Sequence, residues 1–301
     1  MKAGPMVQLA AFPKCYLDDI IVHKSMTLFD WIEKAGQLGV DGLEMYTLFF
    51  EDKGDVYVDE VRTKCEKFGL ALPMMCCSPD FSNPDPKKRV EELAKQKEAI
   101  DLTAKLGGLF CRTLSGQNRP GLDRKKVVHW CVEMIREAVA YAEEKGIIIN
   151  IENHYKDGYW EYPEFALRSE VFLEIIEQID SPYFGINFDP SNAIVAGEDP
   201  IELLEKIKSR VVTMHASDRY LTGGSLDDLR KIDMDPLHGY AKTIQHGVIG
   251  RGLNDYDAIF SILKGAGFEG WISIEDGMNG MEELRQSAEF LRSKINQYFE
   301  G

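Results

Sequence analysis

Eight short apolar runs, rich in β-branched residues, recur along the chain, and longer stretches with helical periodicity separate them. The runs are VQLAAF (7–12), VDGLEMY (40–46), LALPMMCC (70–77), GLFCRTL (108–114), IIINIEN (147–153), FGINFD (184–189), VVTMHAS (211–217) and WISIED (271–276). Near-continuous apolar runs of this length suit parallel strands covered on both faces. Segments 26–38, 87–106, 123–145, 163–179, 199–209, 255–265 and 281–298 read as helices. In the first, Ser25 is the expected N-cap and Leu28, Trp31, Ile32 and Ala35 share a face; in the second, Val90, Leu93, Ala94 and Lys97 form the expected stripe. Glycine stands shortly before the strand in LGVDGL, FGLAL, LGGLF, KGIII and AGFEGWI, where a left-handed residue that ends a helix is expected. This alternation predicts an α/β fold, a (β/α)8 barrel, over the 301 residues as one domain. An open doubly wound sheet is the rival, and the chain has no GxGxxG after its first strand.

One connection is out of proportion. Between the seventh strand and the next helix, Arg219 to Asn254 spans 36 residues, and loops beyond about 12–15 residues are uncommon unless they serve a site. An active-site loop is expected there, with a short helix near 225–231. The net charge of −15 argues against a nucleic-acid partner, since affinity for phosphates comes from Lys and Arg. No apolar run reaches the ~18 residues a membrane span needs, and no secretory leader follows MKAGPMVQLA. The six cysteines show no CxxC spacing, which reads as reduced, mostly buried thiols in a cytoplasmic protein.

Four strands end alike: INIE (149–152), INFD (186–189), VTMH (212–215) and ISIE (272–275). Residues two apart share a face of a strand. Asn150 with Glu152, Asn187 with Asp189, Thr213 with His215 and Ser273 with Glu275 therefore face the barrel lumen, and the intervening apolar residues face the helices. The last residue of each pair falls at a carboxyl end, where barrel active sites lie. Three carboxylates converging without a cation would repel one another and lose hydration. A divalent ion on Glu152, Asp189, His215 and Glu275 resolves this. The mixed oxygen and nitrogen set favours Mn2+, with Mg2+, Co2+ or Zn2+ as alternatives, and Asn150, Asn187, Thr213 and Ser273 are expected to orient the ligands.

On the motifs IENH (151–154), NFDPSN (187–192), MHASDR (214–219) and SIEDG (273–277), the chain resembles the xylose-isomerase-like barrel superfamily of sugar isomerases and epimerases. The resemblance spans nearly the whole chain. It implies one divalent ion on Glu152, Asp189, His215 and Glu275, with the two glutamates exchanging protons with a substrate carbon. An ion beside a ketose carbonyl acidifies the neighbouring C–H, and carboxylates on opposite faces can remove and return the proton. The chain also departs from its relatives. Asn192 stands where ketose epimerases and endonuclease IV carry a histidine, and Arg219 lies closer to the metal histidine than the epimerases' substrate arginine. Six scattered histidines do not supply the histidine-rich zinc cluster of endonuclease IV.

His154, two residues past Glu152, is a candidate acid/base. Trp160, within the aromatic loop HYKDGYWEYPEF (154–165), and Glu44, Arg112, Asn192, Arg219, His246 and Arg251 are candidate substrate contacts. The glycines of VIGRGLNDYDAIF (248–260) follow no strand and are not a nucleotide fingerprint. The expected activity is isomerisation or epimerisation of a sugar, keto-sugar or polyol, with a homo-oligomer as the expected assembly. The alternative is a metal-dependent lyase or dehydratase acting on an inosose or 3-keto-glycoside through His154. A non-catalytic sugar-binding protein is a third reading, disfavoured by the complete ligand set.

Overall fold

The computed structural model describes residues 7–228 and 243–300. Strands β1 (Gln8–Ala11), β2 (Gly42–Leu43), β3 (Met45–Tyr46), β4 (Met74–Cys76), β5 (Phe110–Thr113), β6 (Ile148–Glu152), β7 (Phe184–Phe188), β8 (Val211–Ala216) and β11 (Trp271–Ile274) form one parallel sheet. A hairpin of β9 (Arg219–Leu221) and β10 (Ile244–His246) stands apart from it. The sheet order is β2-β1-β11-β8-β7-β6-β5-β4-β3. Its two edges, β2 and β3, are consecutive in the chain with Glu44 between them. β2 pairs with β1 and β3 with β4, so this one segment closes the barrel. Each of the eight expected runs contains a barrel strand.

Outward residues of these strands, among them Leu9, Ile149, Ile151, Ile186, Phe188, Met214, Ile272 and Ile274, are fully buried in one apolar core. Helix Pro86–Leu106 ends on Gly107 at φ +77°, a left-handed cap, and Gly39, Gly69, Gly146 and Gly267 take the same sign before their strands. Gly270 is required for another reason: a Cβ there would lie 1.9 Å from the Val212 carbonyl oxygen.

Several helix expectations need correction. Thr27, not Ser25, caps helix Leu28–Ala35, because Asp30 three residues on completes a capping box with it. In Pro86–Leu106 the buried face is Leu93, Gln96, Ala99, Ile100, Thr103 and Leu106, while Val90 and Ala94 are exposed. The 163–179 segment is helical only over Ser169–Ile176. Helix Asp55–Lys67 was not expected, since only Val58, Val61 and Cys65 are buried on it. Of the short helix expected near 225–231, residues 226–228 are helical and 229–231 lie outside the described residues. All six cysteines are free and all but Cys15 are buried. Among the described residues, no helix is long and apolar enough to cross a membrane.

Candidate metal centre

Glu152 is the last residue of β6 and His215 the penultimate residue of β8. Asp189 and Glu275 directly follow β7 and β11. One ligand atom from each of these four buried side chains lies within 4.8 Å of the others. His215 Nδ1 is 3.2 Å from Glu152 Oε1 and 3.4 Å from Glu275 Oε2. Asp189 is held by its own chain: Oδ1 caps helix Pro190–Val195 through the Ser191 and Asn192 amides and accepts the Ser217 hydroxyl at 2.8 Å. Asn153 fixes its backbone from both sides, donating to the Asp189 carbonyl at 2.6 Å and accepting its amide at 2.8 Å. Asp189 Oδ2 is buried with no hydrogen-bond partner.

Charge decides what this set can hold. The carboxylates of Glu44, Glu152, Asp189 and Glu275 gather with two cationic side chains, Arg112 and Lys14. Arg112 Nη1 lies 2.6 Å from Glu152 Oε2 and Lys14 Nζ 3.2 Å from Glu275 Oε1. Two negative charges remain. Burial works against a charged His215, but Glu44, Glu152 and Glu275 raise its pKa well above the ordinary imidazole range. Burial, together with the charges of Glu152 and Glu275, pushes Asp189 up to about 7. Burial would also raise Glu152, yet His215 and Arg112 hold it at about 2. Glu275 is likewise pulled well below the usual range, against its burial, by Lys14 and His215. Protons thus stand in for missing positive charge. A single divalent ion closes the balance, and the orphaned Asp189 oxygen and the oxygen/nitrogen donors fit one.

Glu44, expected to touch substrate, is instead 1% exposed behind His215, with both oxygens 3.0 Å from Nε2. Strand alternation turns it inward, on the same face as Gly42 and Tyr46. Arg112 is engaged by Glu152 and by Ser78 Oγ at 3.0 Å, and Asn192 Nδ2 donates to Glu152 Oε1 at 3.1 Å. Of the four residues expected to orient the ligands, Asn150, Thr213 and Asn187 bond to one another, and the Ser273 hydroxyl is buried without a hydrogen-bond partner. Asn150 donates to Thr213 at 2.6 Å and Thr213 to Asn187 at 2.8 Å, forming a polar chain across the lumen below the site. Asn153 and Ser217, absent from the sequence-based set, take over that role for Asp189. Position alone gave no sign of this, although both directly follow strand ends.

A cavity of about 160 Å³ opens beside Glu275 and is lined by Lys14, Tyr46, Arg112, His154 and Asp157 among others. Lys14 carried no assignment from sequence. His154 Nδ1 lies 3.6 Å from Glu164 Oε2. Burial opposes its protonation, but the charge of Glu152 and the Glu164 contact raise its pKa. Trp160 lines a larger adjoining groove that shares Tyr46, Asp157 and Tyr159 with this cavity. Arg219 and His246 do not line the cavity. Both bond to Asp276, at 3.1 and 2.7 Å, beneath the β9–β10 hairpin. Arg251 is exposed on the same connection and is not brought to the cavity. That connection is pinned at its root, where Asp218 accepts the amides of Gly250, Gly252 and Asn254.

Known proteins resemble this chain in sequence or in fold. The uncharacterized protein YfiH of Bacillus subtilis (strain 168) is 28% identical over 94% of this chain and 99% of its own length. The inosose dehydratase of Bacillus thuringiensis (strain Al Hakam) is 25% identical over 51% of the chain, which spans only about half (50%) of that enzyme. The crystal structure of a D-tagatose 3-epimerase-like protein superposes with a TM-score of 0.76 at 19% identity, covering 97% of this chain and 98% of that one, a likeness of fold. The family model described as xylose isomerase-like TIM barrel matches residues 32–294. With that match covering most of the barrel, the chain belongs to the xylose isomerase-like TIM-barrel family.

Proposed function

We propose that this protein is a divalent-metal-dependent isomerase or epimerase of a polyhydroxylated ketone, a keto-sugar or related polyol. The observation that carries the reading is the convergence of Glu152, Asp189, His215 and Glu275 within 4.8 Å, with one Asp189 oxygen buried and unpartnered. These four residues would hold the ion, with Mn2+ the first candidate. When bound, a divalent ion supplies Lewis acidity at a carbonyl oxygen and so acidifies the neighbouring C–H. Glu152 and Glu275 sit on strands separated by β7 and β8, which suits two carboxylates addressing opposite faces of one carbon. Glu275 opens to the cavity, where it takes the proton beside Lys14. Inosose dehydratase and a tagatose-epimerase-like protein among the similar proteins both point, by name, to polyhydroxylated carbonyl substrates.

A carbon–oxygen lyase is the second reading, and one observation favours it. Glu152 has both oxygens occupied by Arg112, Asn192 and His215, which leaves it less free to take a proton from a substrate. His154 lines the cavity with a raised pKa and can give a proton to a departing hydroxyl. The test incubates Mn2+-loaded protein with keto-sugars, inososes and 3-keto-glycosides in deuterated water. Deuterium at the α-carbon with epimer formation supports the isomerase, and loss of water or aglycone supports the lyase. Neither event across the panel, or turnover indifferent to chelator, refutes the proposal.

A further inference from the structure

His215 is the one nitrogen donor in the ligand set, and an imidazole offers a ligand lone pair only if its other nitrogen keeps the proton. Which nitrogen does so is set by what the ring touches. Nδ1 faces Glu152 and Glu275. Nε2 points the other way, at 3.0 Å from both oxygens of Glu44. Glu44 is itself fixed: Cys76 Sγ donates to its Oε1 at 2.8 Å, and its backbone amide donates to the Ala11 carbonyl at 3.1 Å, where sheet pairing passes from β1 to β4. Glu44, Cys76 and His215 are all buried. A carboxylate sealed away from solvent at this point does no surface work and contacts no substrate cavity.

We infer that Glu44 is the positioning residue for the metal site. It accepts a hydrogen bond from the His215 Nε2–H, so that the Nδ1 lone pair is turned toward Glu152, Asp189 and Glu275, and it is itself oriented by the Cys76 thiol. This rests on the reading that the four-residue set binds a divalent ion. Outer carboxylates of this kind contribute about 10–100-fold to metal affinity, by orienting the ring and raising its basicity.

The experiment measures Mn2+ affinity calorimetrically and the visible absorption of the Co2+-loaded protein, for wild type, Glu44→Ala, Glu44→Gln and Cys76→Ala, each checked for native circular dichroism. His215 ring signals are followed by 15N NMR in the Zn2+-loaded forms. Glu44→Ala is expected to weaken Mn2+ about 10–100-fold, change the Co2+ spectrum and remove the protected Nε2–H signal. Glu44→Gln keeps an acceptor and is expected to retain the Nε2–H signal with a smaller loss of affinity. Cys76→Ala is expected to fall between Glu44→Gln and wild type. A role in packing alone would lower thermal stability and leave affinity and spectrum in place, and that result in Glu44→Ala overturns the inference. If Glu44→Ala fails to fold, Glu44→Gln decides: loss of the Nε2–H signal in that variant overturns the inference. Wild-type protein that binds no Mn2+ at all overturns the underlying metal reading as well, so the two failures are distinguishable.

Discussion

Lowering the pH should strip the divalent ion from this site in a way the charge balance dictates. Asp189 carries a pKa of about 7, because burial and the charges of Glu152 and Glu275 disfavour its anion. His215 is raised well above the ordinary imidazole range, Glu44, Glu152 and Glu275 outweighing burial. Both must be deprotonated to act as ligands, so near pH 6 each bound ion expels about two protons and above pH 7 about one. Apparent affinity should then rise about 100-fold per pH unit below pH 7 and about tenfold per unit just above it; each tenfold is about 1.4 kcal/mol. The sign is fixed: the raised pKa values make protons competitors, so affinity increases with pH. Calorimetric titration of Mn2+ into chelator-treated protein, in two buffers of different ionisation enthalpy, counts the protons directly. A count of zero at pH 6, or affinity flat between pH 6 and 8, would refute the electrostatic account of the site.

Other outcomes follow from the same geometry. His154→Gln should reduce dehydration or aglycone release about 100-fold or more while leaving α-proton exchange in deuterated water intact, measured on whichever substrate turns over; loss of both removes the distinction between the two readings. Arg112→Leu leaves Glu152 buried without its cation and should destabilise the metal-free protein by about 3–5 kcal/mol in urea unfolding, with a smaller loss when Mn2+ is present. Mn2+ at 100 times its Kd should stabilise the wild type by about 2.7 kcal/mol, read as a rise in Tm that chelator reverses. In the metal-free protein, the stabilisation from Glu152, whose pKa is depressed to about 2, is present above its ordinary value and is lost as pH falls toward 2, so acid unfolding of Glu152→Gln should be the less pH-dependent over that window.

The convergence of Glu152, Asp189, His215 and Glu275 was legible because a strand alternates with period two, and that regularity holds through β6, β7, β8 and β11. The same alternation turns Glu44 of VDGLEMY into the lumen, but its partner there, His215, lies 171 positions away in the chain and only barrel closure joins the two. The ion pairs that tune the site join residues far apart in the chain, Lys14 to Glu275 across 261 positions and Arg112 to Glu152 across 40. Only closure of the barrel creates them. Helix Asp55–Lys67 escaped because it buries three residues along thirteen, too few to set a period. The hold on Asp189 was only partly in reach, since NFDPSN shows an acid before the proline that opens its helix but not the hydroxyl that Ser217 brings from the next strand.

The root of the 219–254 connection bears on how such proteins diversify. Asp218 gathers the amides of Gly250, Gly252 and Asn254, the Leu253 amide reaches the Arg219 carbonyl at 2.8 Å, and β9 pairs with β10 just beyond. The two ends of the excursion are therefore stapled together before it leaves the barrel. Lengthening or replacing what lies between them costs little more than loop-closure entropy, which grows only slowly with length. A lineage can thus trade one excursion for another and test new substrates without retuning the carboxylates below.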